Sequence, residues 1–209
     1  MFIPRHPVVE NQFCSYAAQT ATSSAGIGGV IAYAGSVVYL DASAANEEPI
    51  VKKMAYSSSP FTPFGFAMQK VKTGYHQVHP AGFMMPGDLG SSDVIAQPSY
   101  DASGNIIGTK SAPIGVAHMG IWDTVHYTCT SVDSEPTVKM APGDSLYAAN
   151  DEAKVTNNSV LAADADDLAT GEAVSSVVVG RVIKGASLAK CKANVANTTL
   201  YPIRIKLLI

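Results

Sequence analysis

The chain has 209 residues and a formal net charge of −3, with 47% apolar and only 15% charged residues. That length suits one large β domain or two small ones, with ample material for a core. The near-neutral charge argues against nucleic acid as the main partner and against a basic membrane-surface protein, since both need clustered cations.

The first segment reads as an arm. Pro4 and Pro7 interrupt pairing, and Asn11 to Ser24 is small and polar without period. Residues 1–25 are expected to form an extended N-terminal arm, which either works against a neighbouring subunit or folds back as a terminal strand on its own barrel, and residues 26–209 the β domain or domains. Pro4 and Pro7 also stand where a secretory leader would place its basic and apolar regions, so no leader is expected. No charge appears between Glu10 and Asp41, but Gly28, Gly29, Gly35 and Ser36 break up the apolar part of that stretch. A span needs about 20 predominantly apolar residues, so no membrane is expected.

From Val30 onward the signals are strands. Val30 to Tyr33 and Val37 to Leu40 flank Gly35, and Phe64 to Lys72 and Ile114 to Ile121 follow. Val125 to Thr130 alternates, with His126, Thr128 and Thr130 on one face and Val125, Tyr127 and Cys129 on the other. Val177 to Ile183 and Tyr201 to Ile209 complete the set; in the last, Arg204 and Lys206 share the face opposite Ile203, Ile205 and Leu207. Turns are marked by Pro86-Gly87-Asp88, Asp101 to Asn105 and Pro142-Gly143-Asp144. Ala162 to Ala173, with Asp164, Asp166, Asp167 and Glu172, is the most acidic patch and reads as a solvated excursion, either a short helix or an ordered loop. Little other helix is expected. The fold class is all-β: an antiparallel β-barrel or β-sandwich.

Two stretches echo one another. Gly35-Ser36-Val37-Val38-Tyr39 is answered by Gly143-Asp144-Ser145-Leu146-Tyr147. Each is followed by a strand with an internal glycine: Phe64-Gly65-Phe66-Ala67-Met68 and Val179-Gly180-Arg181-Val182-Ile183. Repeated hairpin units are expected around 30–74 and 139–185, with a looser third version from Pro86 to Ala117.

Chemistry-bearing patterns are sparse. Cys14, Cys129 and Cys191 are odd in number and lack C-x-x-C spacing, which reads as reduced, part-buried thiols. No G-x-S-x-G elbow or phosphate cradle is present. Ser187 to Lys190 matches S-x-x-K and Lys72-Thr73-Gly74 matches K-T-G, but in reversed order and with no helix expected at Ser187. His76 and His79 are three apart, as are His126 and Cys129; on strands that spacing points to opposite faces. Turn and strand histidines satisfied by the backbone are the simpler reading. No catalytic, cofactor or metal residue is expected, and the chain reads as not an enzyme. The remaining enzymatic alternative is a small metal-dependent hydrolase using His76, His79 and His126, with His118 as a further candidate.

Pro142 to Thr156, Val179 to Ile183 and Ile203 to Leu207 together resemble the capsid decoration (cement) proteins of tailed bacteriophages. Those proteins carry a glycine–aspartate turn leading to an aliphatic–tyrosine strand, then a V-G-x-V strand and an apolar end strand. The resemblance implies a small β-barrel without a catalytic site or cofactor. It also implies a virion protein assembled in the bacterial cytoplasm, bound to the outer capsid surface. Its partners would be the major capsid protein and itself, as a homotrimer. Another virion component, such as a tail-tube, fibre or minor capsid protein, is the neighbouring alternative.

Overall fold

The computed structural model describes residues 2–5, 11–19, 30–41, 49–56, 62–73, 93–100, 102–103, 106–132, 135–163 and 171–209. The first half supplies strands β1 (Phe2–Pro4), β2 (Asn11–Gln19), β3 (Val30–Ala32), β4 (Val37–Leu40), β5 (Ile50–Lys53), β6 (Pro63–Ala67), β7 (Lys70–Thr73) and β8 (Asp93–Tyr100). The second half supplies β9 (Ile106–Ala117), β10 (Ile121–Thr124), β11 (Ser131–Val132), β12 (Glu135–Pro136), β13 (Ser145–Ala148), β14 (Val155–Thr156) and β15 (Gly180–Lys184). It closes with helix α1 (Leu188–Val195) and β16 (Ile203–Leu207).

The protein is all-β, in two main sheets. An antiparallel six-stranded sheet has the order β1-β10-β16-β15-β13-β14, and an eight-stranded sheet the order β2-β5-β4-β6-β9-β8-β7-β3. In the larger sheet β2 pairs with β5 on one edge and β9 on the other, so the path through β5, β4, β6 and β9 returns to β2 and the sheet curls round. The pairings are antiparallel except for β2–β5 and β7–β8. Among the described residues no helix is long and apolar enough to cross a membrane.

Apolar side chains explain the layering. One buried cluster, with Cys14, Val38, Val51, Ala67, Ile114 and Val116, fills the curled sheet. A second, with Val37, Phe66, Trp122, Leu146, Val182 and Ile205, lies against the inner face of the six-stranded sheet. Neighbours Val37 and Val38 therefore point into different cores, as do Phe66 and Ala67, and all four are fully buried. Strands covered on both faces carry unbroken apolar runs rather than alternation, which is why these segments stand out in the sequence. β16 alternates instead, with Ile203, Ile205 and Leu207 buried and Arg204 and Lys206 outward.

The echoed stretches have one geometry. In β4 and β6, Val37 pairs with Phe66 and Val38 with Gly65; in β13 and β15, Ser145 pairs with Arg181 and Leu146 with Gly180. The turns before them match bond for bond. Gly35 N–H donates to Ala67 O and Gly143 N–H to Val182 O, both at 2.8 Å. Ser36 N–H reaches Tyr33 O at 3.0 Å, as Asp144 N–H reaches Ala141 O at 3.1 Å. Both turns need a left-handed residue and place glycine there, at φ 98° and 93°. The strand order β5-β4-β6-β9 is repeated as β14-β13-β15-β16.

The structure departs from the sequence reading in three places. Within the segment read as an arm, β1 pairs with β10 and β2 with β9 and β5 of the same chain. Phe2 anchors β1: its ring stacks on Trp122 and Phe66, with centroids 4.3 and 5.7 Å away. Helix α1 begins after Ser187, where none was expected. Its Leu-Ala-Lys-Cys-Lys-Ala run favours helix, but eight residues are too few for a clear period. Val125 to Thr130 forms no ladder; only Tyr127 bridges, to Val155, and His126 through Cys129 are all buried whatever their parity. The ends of the acidic excursion are zipped by Ala162 N–H to Ala173 O and Ala173 N–H to Val160 O, which gives a loop base there. Residues 164–170, like His76, His79 and the turn at Pro86, lie outside the described residues.

Candidate functional site

The two equivalent turns end on different polar side chains, Ser36 and Asp144, and that difference decides which elements each turn binds. Asp144 Oδ2 accepts from Ala141 N–H at 2.8 Å and from Asn157 Nδ2 at 3.1 Å. At the matching place Ser36 Oγ accepts from Tyr33 N–H at 3.2 Å. It also lies 3.0 Å from His126 Nε2 and donates to Glu152 O at 3.1 Å. His126 Nε2 meets the same carbonyl at 3.1 Å.

That carbonyl belongs to an unusual backbone. Glu152 and Ala153 both adopt positive φ, 52° and 53°. Non-glycine residues in this region cost about 1–2 kcal/mol each. The cost is offset by capture of both carbonyls: Glu152 O by Ser36 and His126, and Ala153 O by Val37 N–H at 2.8 Å. The Glu152 side chain pairs with Lys53 Nζ at 2.6 Å. The Ser36–His126 contact therefore joins the start of β4, the crossing after β10 and the β13–β14 turn.

Above it opens a cleft of about 620 Å³, walled by Phe2, Tyr33, Met68, His126, Lys154 and the end of α1 at Val195. The Tyr33 ring lies 5.2 Å from the imidazole. A serine hydroxyl beside an imidazole is the pairing of a nucleophile and its base, but three features oppose that chemistry. Ser36 is fully buried, and its lone pairs already serve the turn. Burial lowers the His126 pKa to about 4, against a smaller opposing effect from the Glu152 carbonyl, which leaves a feeble base at neutral pH. No carboxylate orients the ring through a hydrogen bond among the described residues.

The other candidates stand apart. His118 packs edge-on to Phe64 with centroids 4.6 Å apart, and its buried Nε2 has no hydrogen-bond partner among the described residues. Among the described residues no three His, Cys, Asp or Glu side chains converge as a metal group. Ser187 sits at the N-cap position of α1, but Lys190 of its S-x-x-K run reaches over the Tyr201 ring, 5.4 Å from the centroid. Cys129 and Cys191, the latter on α1, are fully buried free thiols, and Cys191 Sγ donates to Ala186 O at 3.7 Å. The interaction of the two thiols, more than burial, raises the pKa of Cys129 and lowers that of Cys191. Asn194 fastens the helix above them, donating to Val125 O at 3.1 Å and Tyr127 O at 3.3 Å.

Sequence reasoning singled out His126 but missed its partners Ser36 and Glu152. The signal was the repeat: Ser36 occupies the place of Asp144, and a hydroxyl there leaves room for a second element to bond. No family model, curated protein or solved structure matches the chain.

Proposed function

We propose that this chain is a non-enzymatic virion structural protein that binds the outer capsid surface of a tailed bacteriophage and stabilises the head lattice. It would do so together with the major capsid protein and further copies of itself, as a homotrimer. One observation supports this reading above the rest. The three segments that resemble decoration proteins are far apart in sequence, yet β13, β15 and β16 are immediate neighbours in one sheet. The resemblance therefore follows a connected structural unit, and the same unit recurs as β4, β6 and β9. The buried polar side chains fit such a role, because they fasten strands and turns to each other rather than face a substrate.

Electron cryo-microscopy of the particle that carries this chain tests the reading. Density for two stacked sheets on the outside of the head shell is expected, and heads lacking the chain should rupture at lower temperature. Location on the tail would favour the other virion role, and turnover of a substrate dependent on His126 would overturn the structural reading.

A further inference from the structure

The outer face of the six-stranded sheet gathers cations that the sequence scatters. Across β15 and β16, Arg181 faces Lys206 and Lys184 faces Arg204. Across β16 and β10, Lys206 faces Ile121 and Arg204 faces Asp123. Cross-strand partners share a face, and the buried partners Val182 and Ile205 lie on the other one. A bulge after Val182 turns both Ile183 and Lys184 outward. Arg5 joins from the end of β1, its Nε 2.7 Å from Asp123 Oδ2, while Arg204 takes the same carboxylate through Nε at 2.8 Å and Nη2 at 3.2 Å. Five cations and one carboxylate thus share one face of a chain whose net charge is −3.

This arrangement works against stability. Like charges directly opposite on adjacent strands repel, and β15 and β16 keep two such pairs side by side. Arg181, Lys184 and Lys206 form no ion pair among the described residues. Asp123, almost buried, holds two guanidinium groups in place and leaves them with spare donors. Close to the cations, at the end of β15 and just past β16, stand the aliphatic side chains Ile183 and Leu208, 43% and 46% exposed.

We propose that this face docks onto a carboxylate-rich protein surface. Charge complementarity selects the partner's sign, and guanidinium forks match carboxylates in two-point geometry. The aliphatic groups Ile183 and Leu208 select a protein over nucleic acid, because a phosphate backbone gives them nothing to cover. Identification of that surface as the head lattice rests on the function proposed above; the charge of the face does not.

The test has two arms. In the first, the purified full chain is titrated with a fluorescent Glu/Leu peptide and, separately, with a DNA duplex of matched charge. The peptide should bind more tightly than the duplex. The double variant Arg181→Glu, Lys206→Glu should weaken peptide binding by roughly ten-fold or more, while Lys190→Glu, Lys192→Glu on α1 changes it little. Lys206→Glu alone turns a repulsive cross-strand pair into an attractive one, so its melting temperature should not fall below the wild type's even as binding weakens. Tighter binding of the duplex, or peptide binding indifferent to the sheet variants, overturns the proposal. In the second arm the wild type and the double variant are added to heads lacking the chain. If neither binds, the head-lattice reading fails and the peptide arm still decides the docking face. If both bind equally, the docking face is wrong and the decoration reading stands.

Discussion

Phe2 lies flat against Trp122, ring centroids 4.3 Å apart and planes 10° from parallel, so the start of the chain is part of the core. Trp122 is held from its other end by its indole N–H, which donates to Met119 O at 3.0 Å. Phe2→Ala should cost about 3–5 kcal/mol, read as a lower urea midpoint with an unchanged slope. Removing residues 1–24 takes away β1 and β2 together and should prevent folding. A truncated chain that melts like the wild type would return this segment to the role of an arm acting in trans.

Gly180 faces Leu207 across the β15–β16 ladder with no room for a side chain: a Cβ there would sit 2.8 Å from the neighbouring Lys206 O. Gly65, its counterpart in the first unit, would place a Cβ 3.0 Å from Ala117 O. In both cases the obstacle includes backbone of a paired strand, which cannot turn aside. Gly180→Ala and Gly65→Ala should each destabilise by about 1–3 kcal/mol. Thermal melts of the two variants check this, and a neutral result at Gly180 would mean that β16 moves freely.

The buried imidazole of His126 makes stability depend on pH. Above the ordinary histidine pKa of 6.5, both folded and unfolded chains hold it neutral and it contributes no slope. As pH falls from there to about 4, the unfolded chain takes a proton that the folded one refuses. Stability therefore declines with acid over that window, by about 3 kcal/mol at its lower end. His126→Gln should flatten this part of the profile. Urea melts of both proteins at pH 7 and pH 4.5 measure the difference, and parallel losses would show that His126 is protonated in the folded state.

Ser36→Ala removes an oxygen that serves Tyr33 N–H, the imidazole and the Glu152 carbonyl at once. Deleting such a buried partner should cost about 1–3 kcal/mol. Hydrogen exchange gives a sharper reading than the midpoint: the amide of Tyr33 should lose protection, while that of Ala141 in the equivalent turn keeps it. Asp144→Ala should reverse the pattern.

The parts of the fold legible in sequence are those governed by local chemistry. Gly35 and Gly143 mark turns because few other residues adopt positive φ, and Ile203 to Leu207 alternates because one face of β16 is buried. The repeat was legible because turn and strand recur together. β1 and β2 were not legible: Pro4 lies on an edge strand where its missing N–H costs nothing, and nothing local to Phe2 announces Trp122 as its partner. The basic face was hidden for the same reason. Arg5, Arg181 and Arg204 belong to separate stretches, and only the strand order β1-β10-β16-β15 brings them to one surface.

The placement of β10 between β1 and β16 also sets a timetable for synthesis. β1 is made first but has no partner until Thr124 has been added, and β10 lacks its second neighbour until Leu207 has been added. Until residue 122 is added the nascent chain therefore carries Phe2 without the Trp122 ring, and later an open edge on β10. Pairings so distant in sequence form slowly, and unpaired edges invite other chains. Crowded polysomes would bring those edges together before each chain is finished, so sparser ribosome loading or a chaperone that shields the first strand should raise the yield of folded protein.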